Sequence, residues 1–358
     1  MIDNITYHRA LPSSPAPTPD GRLAQQADAF ARLVTSVEPA ALQTTTHYPN
    51  AIVTREVAQR LRIPWAYEVR GMLEQTWVAS LGSEAARARA VGSERFRLTR
   101  EREAELATDA DAVFTLSGSM REDLVARGVP SERITLVPNA IDAALLDRRP
   151  PASADARASL NLPREGFWVG STSSLVDYEG FGILLEAVAR LRERGLDVRV
   201  LLAGDGAARP ALQVRATALG LGSAAVFAGR VDRSAAVQHR DALDLFVVPR
   251  LDREVTRTVS PLKPVEAMAS GRPLLVSALP PLLETIGAEL EAKGCAVPAG
   301  DAIALAERIA AFAADPAGAA RLAALGRQRA ASLTWRSVGS TYRAAFLEIG
   351  AELPMWED

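Results

Sequence analysis

The sequence is poorest in the groups that disulfide frameworks and metal sites need. One cysteine, Cys295, stands in 358 residues, so no internal disulfide can form, and with three histidines (His8, His47, His239) it supplies too few ligands for a Cys/His zinc site. Lysine is nearly absent: Lys263 and Lys293 are the only two among 41 basic residues, an arginine bias of the kind a GC-rich genome imposes. A lysine retained against that bias draws attention. Basic residues do not outnumber the 43 acidic ones, and a formal charge of -2 leaves no broad positive field to attract nucleic acid. No stretch is long and apolar enough to span a bilayer, and Met1–Arg9 lacks the apolar core of an export signal. The expectation is a cytoplasmic protein, neither exported nor integral to a membrane.

Hydrophobic residues make up 48% and charged residues 23%, and the length exceeds what one hydrophobic core organises, so two domains are expected. Short apolar runs alternate with amphipathic segments from end to end, the pattern of a parallel sheet flanked by helices, which makes the fold class α/β. In the first half strands are predicted near Ile5–Arg9, Ala41–Thr45, Trp65–Val69, Ala112–Leu116 and Ile134–Val137. Ser119-Met120-Arg121-Glu122 reads as a capping box opening a helix that ends at Gly128. The Pro/Ala/Arg-rich stretch Arg148–Ala158 has no periodicity and marks the domain boundary, giving domains at 1–147 and 148–334. The second half predicts strands near Phe167–Thr172, Val198–Ala203, Ala225–Ala228, Leu243–Val248, Pro273–Ser277 and Gly294–Val297, a complete doubly wound domain. The first half looks shortened, because its first strand candidate is followed by no glycine-rich turn and helix.

The most informative segment is Val259–Pro273. Ser260 is a natural N-cap, Pro261 suits the first helical position, and Gly271 with Pro273 ends the helix. The amides of Leu262 and Lys263 then lie at the positive end of a helix, where a diphosphate would fit. Lys263 and Glu266 are three apart and share a face, placing a cation for phosphate beside a carboxylate for sugar hydroxyls. The alternative for the same spacing is an exposed ion pair worth about 0.3 kcal/mol.

The string Ser260-Pro261-Leu262-Lys263-Pro264-Val265-Glu266-Ala267-Met268-Ala269 resembles the nucleotide-sugar motif of retaining glycosyltransferase family 4 enzymes with the GT-B fold, of a type that assembles polysaccharides. Tyr67–Gly71, Val137–Asp142, Tyr178-Glu179-Gly180, Gly204-Asp205-Gly206, Phe227–Val231 and Pro249-Arg250 agree with it in order and spacing. The resemblance implies two Rossmann-like domains facing a cleft, with a C-terminal helix at 335–358 crossing back onto the first. It implies a donor site of Ser173, Ser174 and Gly204, with Arg230 and Val231 near the base. Glu266 would bind the ribose, and Ser260, Pro261, Leu262, Lys263 and Arg250 would surround the diphosphate. Arg70 stands where other members carry a histidine near the reacting centre, so Arg70, Lys263 and Glu266 are the candidate catalytic residues; an ion pair of Arg70 with Glu68 or Glu74 is the competing explanation. His47, Tyr48 and Asn50, at a strand-to-helix turn, join Glu68 and Arg70 as the candidate acceptor side.

Three positions depart from the family pattern. Thr258 stands where a second glutamate is usual, eight residues before Glu266, and Ser174 and Glu179 stand where two diphosphate cations are usual. The implied activity is transfer of a sugar, with retained configuration, from a UDP- or GDP-linked donor to a hydroxyl of a glycan, lipid-linked or small-molecule acceptor, with no metal or other cofactor. The departures keep two alternatives open: a nucleotide-sugar-binding partner subunit without activity, and a sugar-nucleotide epimerase. Asp109-Ala110-Asp111 imitates a metal motif of another fold but ends a helix and opens a strand. Residues 84–103 hold six arginines and four glutamates, a solvated helical face or a peripheral contact with lipid headgroups at the inner face of the cytoplasmic membrane. A truncated first sheet would favour an oligomer or a partner covering it. His8 and His239 read as surface residues, and Trp335 and Tyr342 as packing residues of the crossing helix.

Overall fold

The computed structural model describes residues 5–10 and 14–352. Among these residues, ten strands form two parallel sheets. The first holds β1 (Leu42–Thr45), β2 (Trp65–Val69), β3 (Ala112–Thr115) and β4 (Ile134–Leu136) in the order β1-β2-β3-β4. The second holds β5 (Phe167–Thr172), β6 (Val198–Ala203), β7 (Ala225–Gly229), β8 (Leu245–Val248), β9 (Leu274–Ser277) and β10 (Ala296–Val297) in the order β10-β9-β8-β5-β6-β7. β2, β3, β8 and β9 are buried along their whole length, as parallel strands covered on both faces must be.

The second sheet reverses direction between β5 and β8 and is therefore doubly wound. Among the described residues the first never reverses, so it is wound one way only. The strand expected at Ile5–Arg9 joins neither sheet; Ile5–Ala10 are exposed, and two apolar side chains in that stretch are too few to bury a parallel strand on both faces.

One face of the first sheet, with Trp65, Tyr67, Val69 and Val113, packs on Ala51, Val57 and Leu106 of the helices Tyr48–Leu61 and Glu94–Asp109. The other face has no helix of its own domain against it in this core. Ala66, Ala112 and Phe114 instead meet Val338, Tyr342, Ala345 and Phe346 of the last helix, Trp335–Glu348. Phe114 lies edge-on to Tyr342 with ring centroids 4.6 Å apart, a geometry that contributes about 0.5–1.5 kcal/mol beyond area burial. The chain crosses over at a single parallel bridge between Ile141 and Thr334, where the Trp335 amide donates to the Ile141 carbonyl at 2.9 Å.

Two local expectations differ. Ser117, not Ser119, caps the helix Gly118–Ala126 through its bond from the Met120 amide, because the Ser119 amide and hydroxyl are taken by Glu284 of the second domain at 3.1 and 2.6 Å. The stretch Arg148–Ala158 leads into a short helix, Ser153–Ser159, anchored by buried Arg157 on Asp244 at 2.9 Å; that anchor is remote in sequence and leaves no periodicity to read.

Cys295 is buried in the second core, and burial pushes its thiol up to about 11. The expected outcome is a thiol silent toward an aromatic disulfide reagent at pH 8 in the native protein and titrating as one equivalent in denaturant; rapid native reaction would refute the burial.

Candidate functional site

In an open parallel sheet the natural ligand crevice lies beyond the carboxyl ends of the strands where the order reverses, here β5 and β8. The loops leaving these two strands are stitched together. The Leu251 amide donates to the Tyr178 carbonyl at 2.9 Å, and Gly180, at φ 74°, is packed so closely that a Cβ would collide with the Pro249 carbonyl. Only glycine fits there. Between the loops lies Glu179, 3% exposed, with its carboxylate 2.9 Å from Arg250 and 2.8 Å from Lys263. Burial alone would raise this carboxyl, but Arg250 and then Lys263 overcome it and hold it at about 2. Burial pushes the Lys263 ammonium below its ordinary value, against the opposing pull of Glu179. The trio carries one net positive charge.

Beside this trio a cleft of about 1030 Å³ opens. Its floor is the loop ends after three neighbouring strands: Ser173 and Ser174 after β5, Gly204 to Gly206 after β6, and Arg230 and Val231 after β7. At Gly204, φ 143°, a Cβ would meet the Ser173 carbonyl, so these two loops approach at backbone distance. Leu262, the cap residue of the helix Lys263–Ala269, and Glu266 within that helix line it, as do Arg233 and Arg240 from the helix Arg233–Asp241. Asp142, Leu145 and Arg148 of the crossover and the 50%-exposed ring of Trp335 complete it. Of the candidate donor residues, Ser173, Ser174, Gly204, Arg230, Val231, Leu262 and Glu266 are brought together in this one space.

The remaining candidates are placed elsewhere. Lys263 and Glu266 do not pair with each other: Lys263 goes to Glu179, and Glu266 goes to Arg240 at 2.9 Å. Ser260 is no N-cap; the helix begins at Lys263 with Leu262 as its cap residue, while the Ser260 hydroxyl meets Thr285 at 3.2 Å and its carbonyl accepts from Asn139 at 2.9 Å. Pro261 is buried and precedes the helix. Arg250 is buried outside the cleft, its second contact being the Val259 carbonyl at 2.9 Å. Thr258 is buried and donates to the Glu254 carbonyl at 2.9 Å.

The candidate acceptor residues stand outside this cleft. Arg70 is engaged by Glu68 at 2.6 Å and by Asn139 at 2.8 Å, not by Glu74, which pairs with Arg127 at 2.6 Å. Glu68 also accepts from Gln43 and, at 2.6 Å, from the Tyr342 hydroxyl, so this network ties the last helix to the first domain. His47 is exposed at the start of the helix Tyr48–Leu61; the Tyr48 amide donates to Glu103, and Asn50 is exposed with no capping bond. Asp109 pairs with Arg55 and Asp111 accepts the Trp65 amide, both structural uses. Among the described residues no group of three or more His, Cys, Asp or Glu could hold a metal, and no helix is long and apolar enough to cross a membrane. Arg240 is a cleft residue that no sequence feature singled out, and Trp335 is one that was expected only to pack. Trp335 lies half exposed at the rim.

Because Glu179 sits at about 2 against an ordinary 4.5, its stabilisation is complete above pH 4.5 and is lost as pH falls toward 2, a term on the order of 3 kcal/mol. Urea unfolding of wild type and Glu179→Gln between pH 7 and 2.5 is expected to show a wild-type advantage that shrinks steadily below pH 4.5. An advantage constant down to pH 2.5 would contradict the ion trio.

Two family models match the chain: "Glycosyl transferase 4-like domain" over residues 3–140 and "Glycosyl transferases group 1" over residues 166–315. EpsF of Bacillus subtilis, which carries a glycosyltransferase name, is 30% identical over 146 residues, 41% of this chain and 36% of EpsF. The chain spans well under two thirds of the length of the curated relatives it matches. Sucrose-phosphate synthase from Thermosynechococcus elongatus superposes with a TM-score of 0.73 at 25% identity, over 95% of this chain and 82% of that one. HepE of Anabaena, solved with UDP and glucose, superposes at 0.73 and 20% identity, over 92% of this chain and 84% of its own. With one glycosyltransferase family match over each sheet and these solved structures, the chain has the GT-B fold and carries glycosyltransferase domains in both halves.

Proposed function

We propose that the chain is a retaining glycosyltransferase that moves a sugar from a nucleoside diphosphate to a hydroxyl of a glycan, lipid-linked or small-molecule acceptor. The observation that carries this reading is the cleft beyond β5, β6 and β7, where close-packed glycine loops face the carboxylate of Glu266. A base would lie against Arg230 and Val231, the ribose against Glu266, and the diphosphate toward Ser173, Ser174 and the start of the helix at Lys263. UDP is the first donor base to test, since HepE shares the fold and was solved with UDP and with UDP-glucose.

In the reaction the bond from the sugar C1 to the phosphate oxygen breaks and a bond from C1 to the acceptor oxygen forms on the same face. The acceptor proton passes to the leaving diphosphate. Charge builds on that diphosphate, so fixed cations are the protein's chief contribution. The Glu179 trio keeps Lys263 and Arg250 in place and leaves one net positive charge for this purpose. Arg70, charged at any accessible pH, would act from the first domain, although its present partners are Glu68 and Asn139.

A second reading, a nucleotide-sugar-binding partner without turnover, is favoured by one observation: Glu179 already neutralises part of the charge that Lys263 and Arg250 carry.

Calorimetry of UDP, GDP, ADP and dTDP against wild type and Glu266→Ala, with hydrolysis of the matching nucleotide sugars, tests both. One nucleotide is expected to bind, at least tenfold weaker in Glu266→Ala. Lys263→Ala is expected to lower turnover roughly 10²–10³-fold, as the loss of one preorganised charge donor does. Binding without turnover of any nucleotide sugar would favour the partner reading, and no binding would overturn the donor site.

A further inference from the structure

The carboxylate that faces the cleft is held from behind by a buried cation that no motif announced. Arg240 lies in the last turn of the helix Arg233–Asp241 and is 3% exposed. Its Nη2 donates to Glu266 Oε2 at 2.9 Å and its Nη1 to the Glu266 backbone carbonyl at 3.4 Å. The neighbouring carboxylate, Asp241, is committed to Arg148, so Glu266 is the acid left for Arg240. Burial lowers the Arg240 guanidinium, with Glu266 and then Asp241 opposing. Glu266 itself lines the cleft with its side chain 30% exposed, and its Oε1 makes no hydrogen bond among the described residues. One oxygen is anchored and the other is presented.

We infer that Arg240 is a positioning residue: by gripping both the side chain and the backbone of Glu266, it aims the free carboxylate oxygen at the vicinal hydroxyls of the donor's ribose. The inference rests on the reading of the cleft as a nucleoside diphosphate site. A glutamate on a helix face has three torsions to fix before it can accept a hydroxyl, and a buried guanidinium fixes them before the ligand arrives. An ion pair that only stabilised the fold would change affinity for every nucleotide alike. A positioning role changes affinity only for nucleotides that carry the hydroxyls.

The test compares affinities for UDP, or whichever diphosphate binds best, and its 2′,3′-dideoxy counterpart, measured by calorimetry with wild type, Arg240→Met, Arg240→Lys and Glu266→Gln. Wild type is expected to prefer the ribonucleotide roughly 10- to 100-fold, the range for hydrogen bonds to a charged group. Arg240→Met is expected to bring the ratio near one, as Glu266→Gln does, while leaving dideoxynucleotide affinity within about threefold. Arg240→Lys, which restores the charge without the forked geometry, is expected to give an intermediate ratio. A wild-type ratio in Arg240→Met, or in Arg240→Lys should the Met variant not fold, overturns the assignment of Arg240 alone. Equal loss for both nucleotides also overturns it. A wild type that binds neither nucleotide, or both alike, overturns the reading of the cleft and this inference with it.

Discussion

Glu179 is the constraint around which the second domain's upper edge is arranged. A carboxylate taken out of water is costly unless it is paired and hydrogen-bonded, and here two cations from different segments are drawn to it. Arg250 arrives from the loop after β8 and Lys263 from the start of the second helix beyond it, Lys263–Ala269. The loop after β5, the loop after β8 and the helix Lys263–Ala269 are thereby fixed relative to one another over the point where strand order reverses. The close approach of Gly180 to the Pro249 carbonyl is the steric counterpart of the same closure. With that crevice stitched, the open space lies over β5, β6 and β7, where the cleft is found.

The charges of the cleft form a second layer on this frame. Since Lys263 is held by Glu179, Glu266 is released from its neighbour one turn earlier and meets Arg240 instead. The helix Lys263–Ala269 therefore presents its acid to the cleft and its ammonium to the buried trio. This division of labour differs from a simple phosphate-and-ribose pair side by side on one face, and it makes the position of the acid depend on a helix that follows β7.

The two domains meet through polar contacts at backbone groups and through one long apolar seam. Glu284 accepts from the Gly118 and Ser119 amides, so an acid of the second domain sits at the positive end of a helix in the first. Asn139 reaches the Ser260 carbonyl, and the Ser117 hydroxyl lies 3.4 Å from the Thr258 carbonyl. The last helix contributes the apolar seam, covering a sheet face that a one-way winding leaves bare. Glu68 and Arg70 are drawn into that seam through Tyr342, which explains why two candidate acceptor residues have structural partners.

The strand pattern was legible because it is local. Alternating apolar runs and turn residues located all ten strands to within a residue or two, the largest offsets being at β8, which begins at Leu245 rather than Leu243, and at β10, which begins at Ala296 rather than Gly294. The floor of the cleft was legible for the same reason: Ser173, Gly204 and Arg230 follow directly on strands whose ends can be read. Ile5–Arg9 failed because Ile5 and Tyr7 are its only apolar side chains, too few to bury both faces of a parallel strand. By itself the sequence determined two layered α/β units, the loops that end their strands, and a helix carrying Lys263 and Glu266. Only the tertiary structure decided that Lys263 faces Glu179, that Glu266 faces Arg240 and that Trp335 stands at the rim, because an ion pair goes to the nearest charge through space and burial sets its strength. Neither distance nor burial is written in the spacing along the chain.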